Sequence, residues 1–532
     1  MRMPSWIFPT LSAVLAAGLI AAGAVAVMQY QALDDARDQR DQLSAEVTEL
    51  RSEVADLEAQ LEEADSDAGG GIFDDLLGGL FGSDDDGSGL DGLFGDGGLD
   101  GLLDGLAGGD ADGFEVGAHG MECMDIGGGQ DPGGIDDLFG GLFGGGSPED
   151  ADEDLDDLVE RVADEVAELR ELEWQEPVEA EFLDGAEVGE RLEELSELED
   201  EDAALLEAHR DLLATLGAMP ADADLAEAQQ QLMEDSVAGF YVLDTHEIVV
   251  RVPDDGLPSA VDQITLAHEL GHALADQVLG LPDRAEPPLS EDADASMAAL
   301  SAIEGDATLL MNLWSLEGVD PMELLASATD PAMAAQQEAL DQVPDVMARE
   351  LLFPYTYGLD WACGIYLEDG WDGIDAAYED PPQTTHEILF GENLSPADVA
   401  SVSDPAGWDQ TLNTTFGAAD LLWQLEAPGG DTSAALEDPM SLAQNWAGGE
   451  SSVWRDGDDT AAALSLAFTD GDAGCDTMQS WVEATFDDAT LDTQGSRTYF
   501  DGADQAGAID CEGTNVRVAL ADSTDTVDAI LD

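Results

Sequence analysis

Residues 265–274 of this chain read TLAHELGHAL, and the prediction of the fold starts from this run. His268 and His272 are four residues apart, so on a helix both imidazoles project from one face and can bind the same zinc ion. Glu269 lies near that face, where it can take a proton from a zinc-activated water. The opposite face is apolar and suits packing, with Ile264, Ala267, Leu270, Leu274 and Val278. These features favour a buried metal-binding helix over a helix with two surface histidines.

A zinc site needs a third protein ligand, and residues 273–285 contain no histidine that could supply it. The next helical segment, 295–316, carries the sequence EGDA at 304–307 inside its apolar stripe. Glu304 lies beside core positions, where a carboxylate is costly to bury unless it is bound. We predict Glu304 as the third ligand, with Asp306 as the alternative. The competing interpretation is an exposed Glu beside a helix-weakening glycine.

The segments before this run predict helices followed by a hairpin. Two β-rich runs, 239–243 and 248–252, flank a polar turn and predict a β-hairpin. Three amphipathic helices are predicted from apolar sets that include Leu155, Leu158, Val159, Val162, Val166 and Leu169, then Val188, Leu192, Leu195 and Leu198, and then Leu205, Leu206, Leu212, Leu213 and Leu216.

The composition excludes several classes of partner. The chain has 14 basic and 121 acidic residues, a formal net charge of −107, and every basic residue is arginine. Such a charge repels nucleic acids and anionic lipid headgroups. The hydrophobic fraction of 44% still suffices for an ordinary core. Acid spread over every segment, without lysine, favours a protein adapted to molar salt over one with an acidic tail.

The N-terminus predicts a membrane anchor. Residues 7–28 are 22 residues without a charge, flanked by Trp6 and Tyr30, and about 20 suffice to cross a bilayer. A secretory signal has a shorter apolar core, so we expect an uncleaved single-pass anchor, with cleavage after Ala26 as the alternative. Arg2 precedes the span and acid follows it, which places the bulk of the chain outside the cell.

Two further segments separate the anchor from folded sequence. Apolar residues repeat every three or four positions from Leu33 to Leu61, with one interruption at Arg40, which predicts a short coiled coil. Its functional interpretation is self-association, and the alternative is a single amphipathic helix. Residues 68–149 are rich in Gly, Asp, Leu and Phe and predict a disordered linker, since their Asp-Gly pairs fit no calcium-loop spacing.

The quoted motifs resemble the gluzincin group of zinc metallopeptidases. More closely, the chain resembles a family of secreted or surface-anchored metallopeptidases that includes surface proteins of halophilic archaea. The likeness spans 155–490 and includes, besides the two motifs, the runs GFY at 239–241, HALADQ at 272–277, FPY at 353–355, PPQTTHEIL at 381–389 and WAGG at 446–449.

The resemblance implies a zincin-like fold, zinc and peptide hydrolysis. In several gluzincins an Asp four residues after the ligand Glu orients the first His. Here that position is Thr308, and Asp276 is a possible substitute.

Peptide hydrolysis also needs a hydrogen-bond donor for the oxyanion. Tyr355, Tyr357 and His386 are candidates by residue type, and we select Tyr355 and His386. The alternatives are aromatic core packing for the tyrosines and a turn-capping role for the histidine. Cys475 and Cys511 could pair outside the cell, where disulfides persist, although the sequence leaves their pairing open.

We therefore predict an α+β fold, mainly α, with a zincin-like domain behind the anchor, coiled coil and linker. The expected divisions are 1–30, 31–67, 68–149, a helical segment at 150–235, a catalytic domain at 236–430 and a C-terminal part or extra module at 431–532. The expected function is that of a zinc (Zn²⁺) metallopeptidase on the outer face of the cell membrane, acting on peptides or proteins. The alternative is a non-catalytic surface or stalk protein.

Overall fold

The computed structural model describes residues 155–195, 200–220, 223, 238–243, 245–252, 258–282, 292–319, 343–486, 490–501 and 505–532. All of these residues belong to one compact unit. The predicted membrane span, coiled coil and linker lie outside the described residues. Within the described ranges, no helix combines the length and the apolar character needed to cross a bilayer.

The helices carry most of the described residues. In chain order they are α1 (Leu155–Arg170), α2 (Gly185–Leu195), α3 (Asp200–Thr215), α4 (Ala260–Val278), α5 (Ala293–Gly318), α6 (Asp345–Asp369), α7 (Trp371–Glu379), α8 (Thr385–Phe390), α9 (Ala418–Glu426), α10 (Pro439–Ala443), α11 (Gly471–Thr485) and α12 (Thr524–Leu531). The first three correspond to the amphipathic helices that the sequence predicts, and α1 buries Leu158, Val159, Val162 and Val166.

The strands form two sheets. They are β1 (Ala180–Leu183), β2 (Gly239–Val242), β3 (Glu247–Arg251), β4 (Asp409–Thr415), β5 (Trp446–Asp456), β6 (Asp459–Phe468), β7 (Asp492–Gln494), β8 (Arg497–Asp501), β9 (Ala506–Glu512) and β10 (Asn515–Ala521). One sheet has the order β1-β3-β2, and the other has the order β4-β5-β6-β10-β9-β8-β7. The described part of the chain therefore combines helices with two sheets.

The small sheet lies against α4. Strands β2 and β3 pair antiparallel, with Phe240 opposite Val249, so the predicted hairpin is confirmed. Strand β1 joins the other edge of β3 in parallel. Helix α4 begins at a capping box, in which Ser259 and Asp262 each accept a hydrogen bond from the other's backbone N–H.

Helices α4, α5 and α6 pack against one another at small residues. A Cβ at Gly271 of α4 would lie 3.0 Å from Leu310 and 3.7 Å from the Cα of Ala307, both on α5. Helix α5 also approaches α6, so closely that a Cβ at Gly305 would collide with the backbone carbonyl of Gly358. The glycine that looked helix-weakening in the sequence is therefore a backbone-to-backbone packing contact.

The seven-stranded sheet contains strands from both sides of position 431, where the sequence predicts a boundary between the catalytic domain and the C-terminal part. Strand β4, at 409–415, pairs with β5 in the same sheet as the C-terminal strands. This sheet reaches the start of α5, where the backbone N–H of Asp294 donates to the Thr415 hydroxyl. A disulfide joins Cys475 on α11 to Cys511 on β9, with their Cα atoms 6.0 Å apart.

Candidate metal centre

Three side chains from α4 and α5 converge inside the fold. The Nε2 atoms of His268 and His272 lie 3.0 Å apart, and the Oε2 atom of Glu304 lies 3.3 Å from the first and 3.2 Å from the second. None of the three side chains is more than 4% exposed. Among the described residues they are the one group of ligand-type side chains close enough to hold a metal ion.

This arrangement fits zinc in ligand type and spacing. Two imidazoles and one carboxylate form a known ligand set of catalytic zinc sites, which leave a fourth position open. An ion about 2.0–2.1 Å from each ligand atom in a tetrahedral site separates those atoms by about 3.3–3.4 Å. The observed separations of 3.0, 3.2 and 3.3 Å differ from this by a few tenths of an ångström. A buried carboxylate beside two imidazole nitrogens also suits a cation, since burial disfavours an uncompensated negative charge.

The charge states of Glu304 and His268 suit metal binding. Burial alone would raise the pKa of the Glu304 carboxyl, but the adjacent imidazoles of His272 and His268 outweigh it and lower that pKa to about 2. Burial lowers the pKa of His268, as does the neighbouring His272 ring. An ionised Glu304 and a neutral His268 are the states in which these side chains bind metals. For His272, burial lowers the pKa but the adjacent Glu304 carboxylate outweighs it and raises that pKa to about 9, so without a cation its protonated form is favoured.

Glu269 lies beside the cluster without a normal hydrogen bond. Its side chain is fully buried, and among the described residues neither carboxylate oxygen has a partner at hydrogen-bond geometry. The backbone N–H of Tyr241 on β2 faces the carboxylate. Burial raises the pKa of Glu269 to about 8, which Glu304 reinforces and His272 opposes. A buried, unsatisfied carboxylate at this position can accept a proton from a water held at the cluster.

The structure brings Glu304, and not Asp306, to the two histidines. The Asp306 carboxylate instead accepts hydrogen bonds from Arg170 on α1 and from the Tyr378 hydroxyl on α7, at 3.0 Å and 2.8 Å. Side chains two positions apart on a helix point about 200° apart around its axis, so Glu304 and Asp306 face opposite sides of α5.

The two candidate oxyanion donors have different surroundings. The Tyr355 ring centroid lies 6.4 Å from that of His268, and its side chain is buried, so Tyr355 belongs to the surroundings of the cluster. His386 instead contacts the backbone carbonyl of Gln444 at 3.3 Å and stacks on Trp446 of β5. Trp446 belongs to the core of the large sheet, and within the described residues His386 is not part of the group formed by His268, His272 and Glu304.

Neither residue suggested for orienting His268 does so. The Asp276 carboxylate, the possible substitute, accepts from the Tyr241 hydroxyl at 2.7 Å and lies 3.1 Å from Nδ1 of His246 instead. The buried Thr308 hydroxyl has no hydrogen-bond partner among the described residues. Besides His272 and Glu304, the backbone of Ala307 is a polar group beside the His268 ring. The packing of Ala307 against α4 therefore places it next to His268.

Sequence reasoning missed Arg170, although one signal was present. Arg170 follows Val166 by four residues and so continues the apolar face of α1 rather than its solvent face. A charged residue at such a position requires a buried partner, and Asp306 is that partner. The spacing within α1 could not identify which of the acidic residues in the chain it would be.

Comparisons of the chain with protein-family models, with curated proteins and with solved structures find no significant match.

Proposed function

We propose that this chain is a zinc-dependent metallopeptidase, held at the outer face of the membrane and adapted to high salt. The observation that carries the proposal is the convergence of His268, His272 and Glu304 within 3.3 Å of one another, with the unsatisfied Glu269 carboxylate beside them. The uncharged span at 7–28 supports the anchor, and the net charge of −107 supports the salt adaptation. The disulfide between Cys475 and Cys511 supports an oxidising, outward location.

In this proposal His268, His272 and Glu304 hold the zinc ion. When bound, zinc polarises a carbonyl oxygen and increases the acidity of water. Glu269 accepts the proton of the attacking water on a carboxylate oxygen and transfers it to the leaving amine nitrogen. Burial raises the pKa of Glu269 to about 8, so without a cation its carboxyl is mostly protonated at pH 7. Next to a zinc ion in the adjacent centre that pKa would be lower, which favours the carboxylate that accepts the proton. Tyr355 is the candidate hydrogen-bond donor to the oxyanion, because its ring lies next to His268.

The substrate is a peptide or protein, and self-association would occur through the predicted coiled coil at 33–61. A second function, a non-catalytic surface or stalk protein, is favoured by one observation. Glu269 and the three ligand side chains are at most 4% exposed, whereas a peptide must reach the centre to be cleaved.

Comparing the wild-type protein with Glu269→Gln tests the proposal. We would purify both in molar salt, measure zinc by elemental analysis and follow cleavage of a mixed peptide library by mass spectrometry. The wild type should contain one zinc per chain and cleave peptides. Glu269→Gln should keep the zinc and lose at least about 100-fold in rate, the usual contribution of a general base. Glu450→Gln, at an exposed position of β5, is the matched control and should behave as wild type.

The three outcomes separate the possible functions. Zinc without any cleavage by the wild type would favour the binding or structural protein. Absence of zinc from the wild type would refute the metal centre itself. Equal cleavage by the wild type and Glu269→Gln would refute the assigned role of Glu269.

A further inference from the structure

Arg170, the last residue of α1, makes a buried two-point ion pair with the ligand-bearing helix α5. Its Nε atom lies 3.0 Å from Oδ1 of Asp306, and its Nη2 atom lies 3.2 Å from Oδ2. The Arg170 side chain is 2% exposed and that of Asp306 is 4% exposed. Two parallel N–H···O bonds fix the orientation of both groups as well as their distance.

Helix α7 completes the surroundings of this ion pair. Trp371, Asp375 and Tyr378 are spaced by four and three residues, which places them on one face of α7. The Arg170 guanidinium lies 4.5 Å from the Trp371 ring centroid, and its Nη2 lies 2.8 Å from an oxygen of Asp375. The Tyr378 hydroxyl donates to Oδ2 of Asp306 at 2.8 Å. We call Arg170, Asp306, Trp371, Asp375 and Tyr378 the Arg170 cluster.

The Arg170 cluster and the metal centre lie on opposite faces of α5. Glu304 points to the histidines of α4, and Asp306, about 200° further around the helix, points to Arg170. Gly305, between them, lies against the backbone of Gly358. A rotation of α5 that turned Glu304 away from the histidines would break both contacts of Asp306.

Other contacts hold α1 against the same helices. Glu165 of α1 accepts a hydrogen bond from Trp314 of α5 at 3.0 Å, so α1 lies antiparallel to α5. Arg161, on the same helix, donates to Gln263 of α4 at 3.2 Å. Helix α1 therefore touches both helices that carry the metal ligands.

A gain in overall stability does not account for an ion pair at this position. A buried ion pair is often no more stabilising than apolar side chains of the same volume, because both charges lose their hydration. The ion pair instead provides a directional contact, because a guanidinium and a carboxylate form two parallel hydrogen bonds only when their planes are aligned. In this protein the directional contact is made with Asp306, two positions after the predicted ligand Glu304.

We infer that Arg170 is a positioning residue of the metal centre, because its hold on Asp306 sets the rotation of α5 at which Glu304 meets His268 and His272. This inference rests on the proposed zinc site. It makes α1, within the helical segment at 150–235, a part of the metal-binding unit.

Zinc affinity and the absorption spectrum of the cobalt-substituted protein test this role. Both are measured on the full chain in molar salt, with zinc affinity taken from competition with a chelator. Arg170→Gln should weaken zinc binding up to about 10-fold, below the about 10- to 100-fold that follows loss of a direct hydrogen-bond partner of a ligand, because Arg170 acts through Asp306. Arg170→Lys keeps the charge but not the planar fork, so it should recover only part of the affinity. The cobalt spectrum should change in Arg170→Gln, because the orientation of Glu304 changes.

Two further variants keep the test decisive. Tyr378→Phe keeps the ring and removes one hydrogen bond to Asp306, and it should weaken zinc binding by a smaller factor. If Arg170→Gln does not fold, as judged by circular dichroism, Tyr378→Phe decides. Arg517→Gln, whose guanidinium pairs with Asp510 within the large sheet and not with α1, α4 or α5, is the control and should leave affinity and spectrum unchanged.

The outcomes separate this inference from the proposed function. Wild-type zinc affinity and an unchanged cobalt spectrum in folded Arg170→Gln and Tyr378→Phe would overturn the positioning role while leaving the zinc site intact. A wild-type protein that binds no zinc would refute the proposed function, and this inference with it. Full recovery by Arg170→Lys would also overturn the inference, because charge alone would then suffice.

Discussion

Gly305 and Gly358 bring the backbones of α5 and α6 into direct contact. The carbonyl of Gly358 occupies the space that a Cβ at position 305 would need, and the carbonyl of Ser301 does the same for position 358. The contact joins the helix that carries Glu304 to the helix that carries Tyr355. Gly305, between Glu304 and Asp306, therefore sets how closely α6 can pack against α5.

Gly305→Ala should destabilise the protein. The added methyl group meets backbone on the neighbouring helix, which cannot move aside as a flexible side chain can, and overpacking usually costs about 1–3 kcal/mol. The control is Gly189→Ala on α2, where a Cβ would meet nothing within 4 Å. That variant should be neutral or gain up to about 1 kcal/mol of helix propensity. Chemical denaturation of both variants in molar salt measures the difference, and equal stabilities would contradict the packing interpretation.

His268→Ala should abolish stoichiometric zinc binding. It removes one of three predicted protein ligands, and two ligands hold zinc far more weakly than three. His246→Ala is the control, because the His246 side chain is 64% exposed and contacts Asp276 instead of the cluster. Elemental analysis after gel filtration gives the stoichiometry. Retention of one zinc per chain by His268→Ala would place the metal elsewhere.

Stability in molar salt should fall as the pH rises from about 4 to about 7, with Asp294 as one cause. Burial raises the pKa of Asp294 from 3.8 to about 6 in the folded protein, even though it accepts two hydrogen bonds from Thr385. The folded state then binds the proton more tightly than the unfolded state. The stabilisation is complete below about pH 4 and is lost as the pH rises through about 6.

Asp294→Asn isolates this contribution. The amide oxygen can still accept from Thr385, but the side chain no longer titrates. The difference in melting temperature between wild type and Asp294→Asn should therefore depend on pH between 4 and 7. Asp458→Asn, at the exposed turn between β5 and β6, should show no such dependence. A difference for Asp294→Asn that is constant across this pH range would exclude the assigned role.

Removal of salt at pH 7 should unfold the protein cooperatively. The net charge is −107, and the Debye length grows from about 3 Å at 1 M to about 10 Å at 0.1 M salt. Most arginines of the described residues already pair with carboxylates, including Arg170, Arg191, Arg210, Arg349, Arg455, Arg497 and Arg517. Few cations therefore remain to offset the surface acid, and repulsion disfavours the compact state.

Circular dichroism across a salt titration measures this effect. Mild acidification at low salt should restore part of the fold, because protonated carboxylates no longer repel one another. The result that would discard the salt adaptation is an unchanged spectrum and melting temperature between 1 M and 0.1 M salt.

Local spacing was enough to determine part of the centre. His268 and His272 face the same way because residues four apart on a helix lie nearly above one another, whatever the helix packs against. The capping box at Ser259 and the hairpin at 239–251 likewise depend on contacts between near neighbours in the chain. Glu304 could be proposed from the sequence because a carboxylate inside an apolar stripe needs a partner.

Only the tertiary structure decided which distant residues meet. Asp306 pairs with Arg170 across 136 positions, and this contact removes it from the ligand set. Tyr355 lies beside His268, whereas His386, an equal candidate by residue type, stacks on Trp446 of the large sheet. The physical reason is that helix and strand periods fix the direction of a side chain within its own element. The partner it meets depends on how the elements cross, here through the contacts of Gly271 and Gly305.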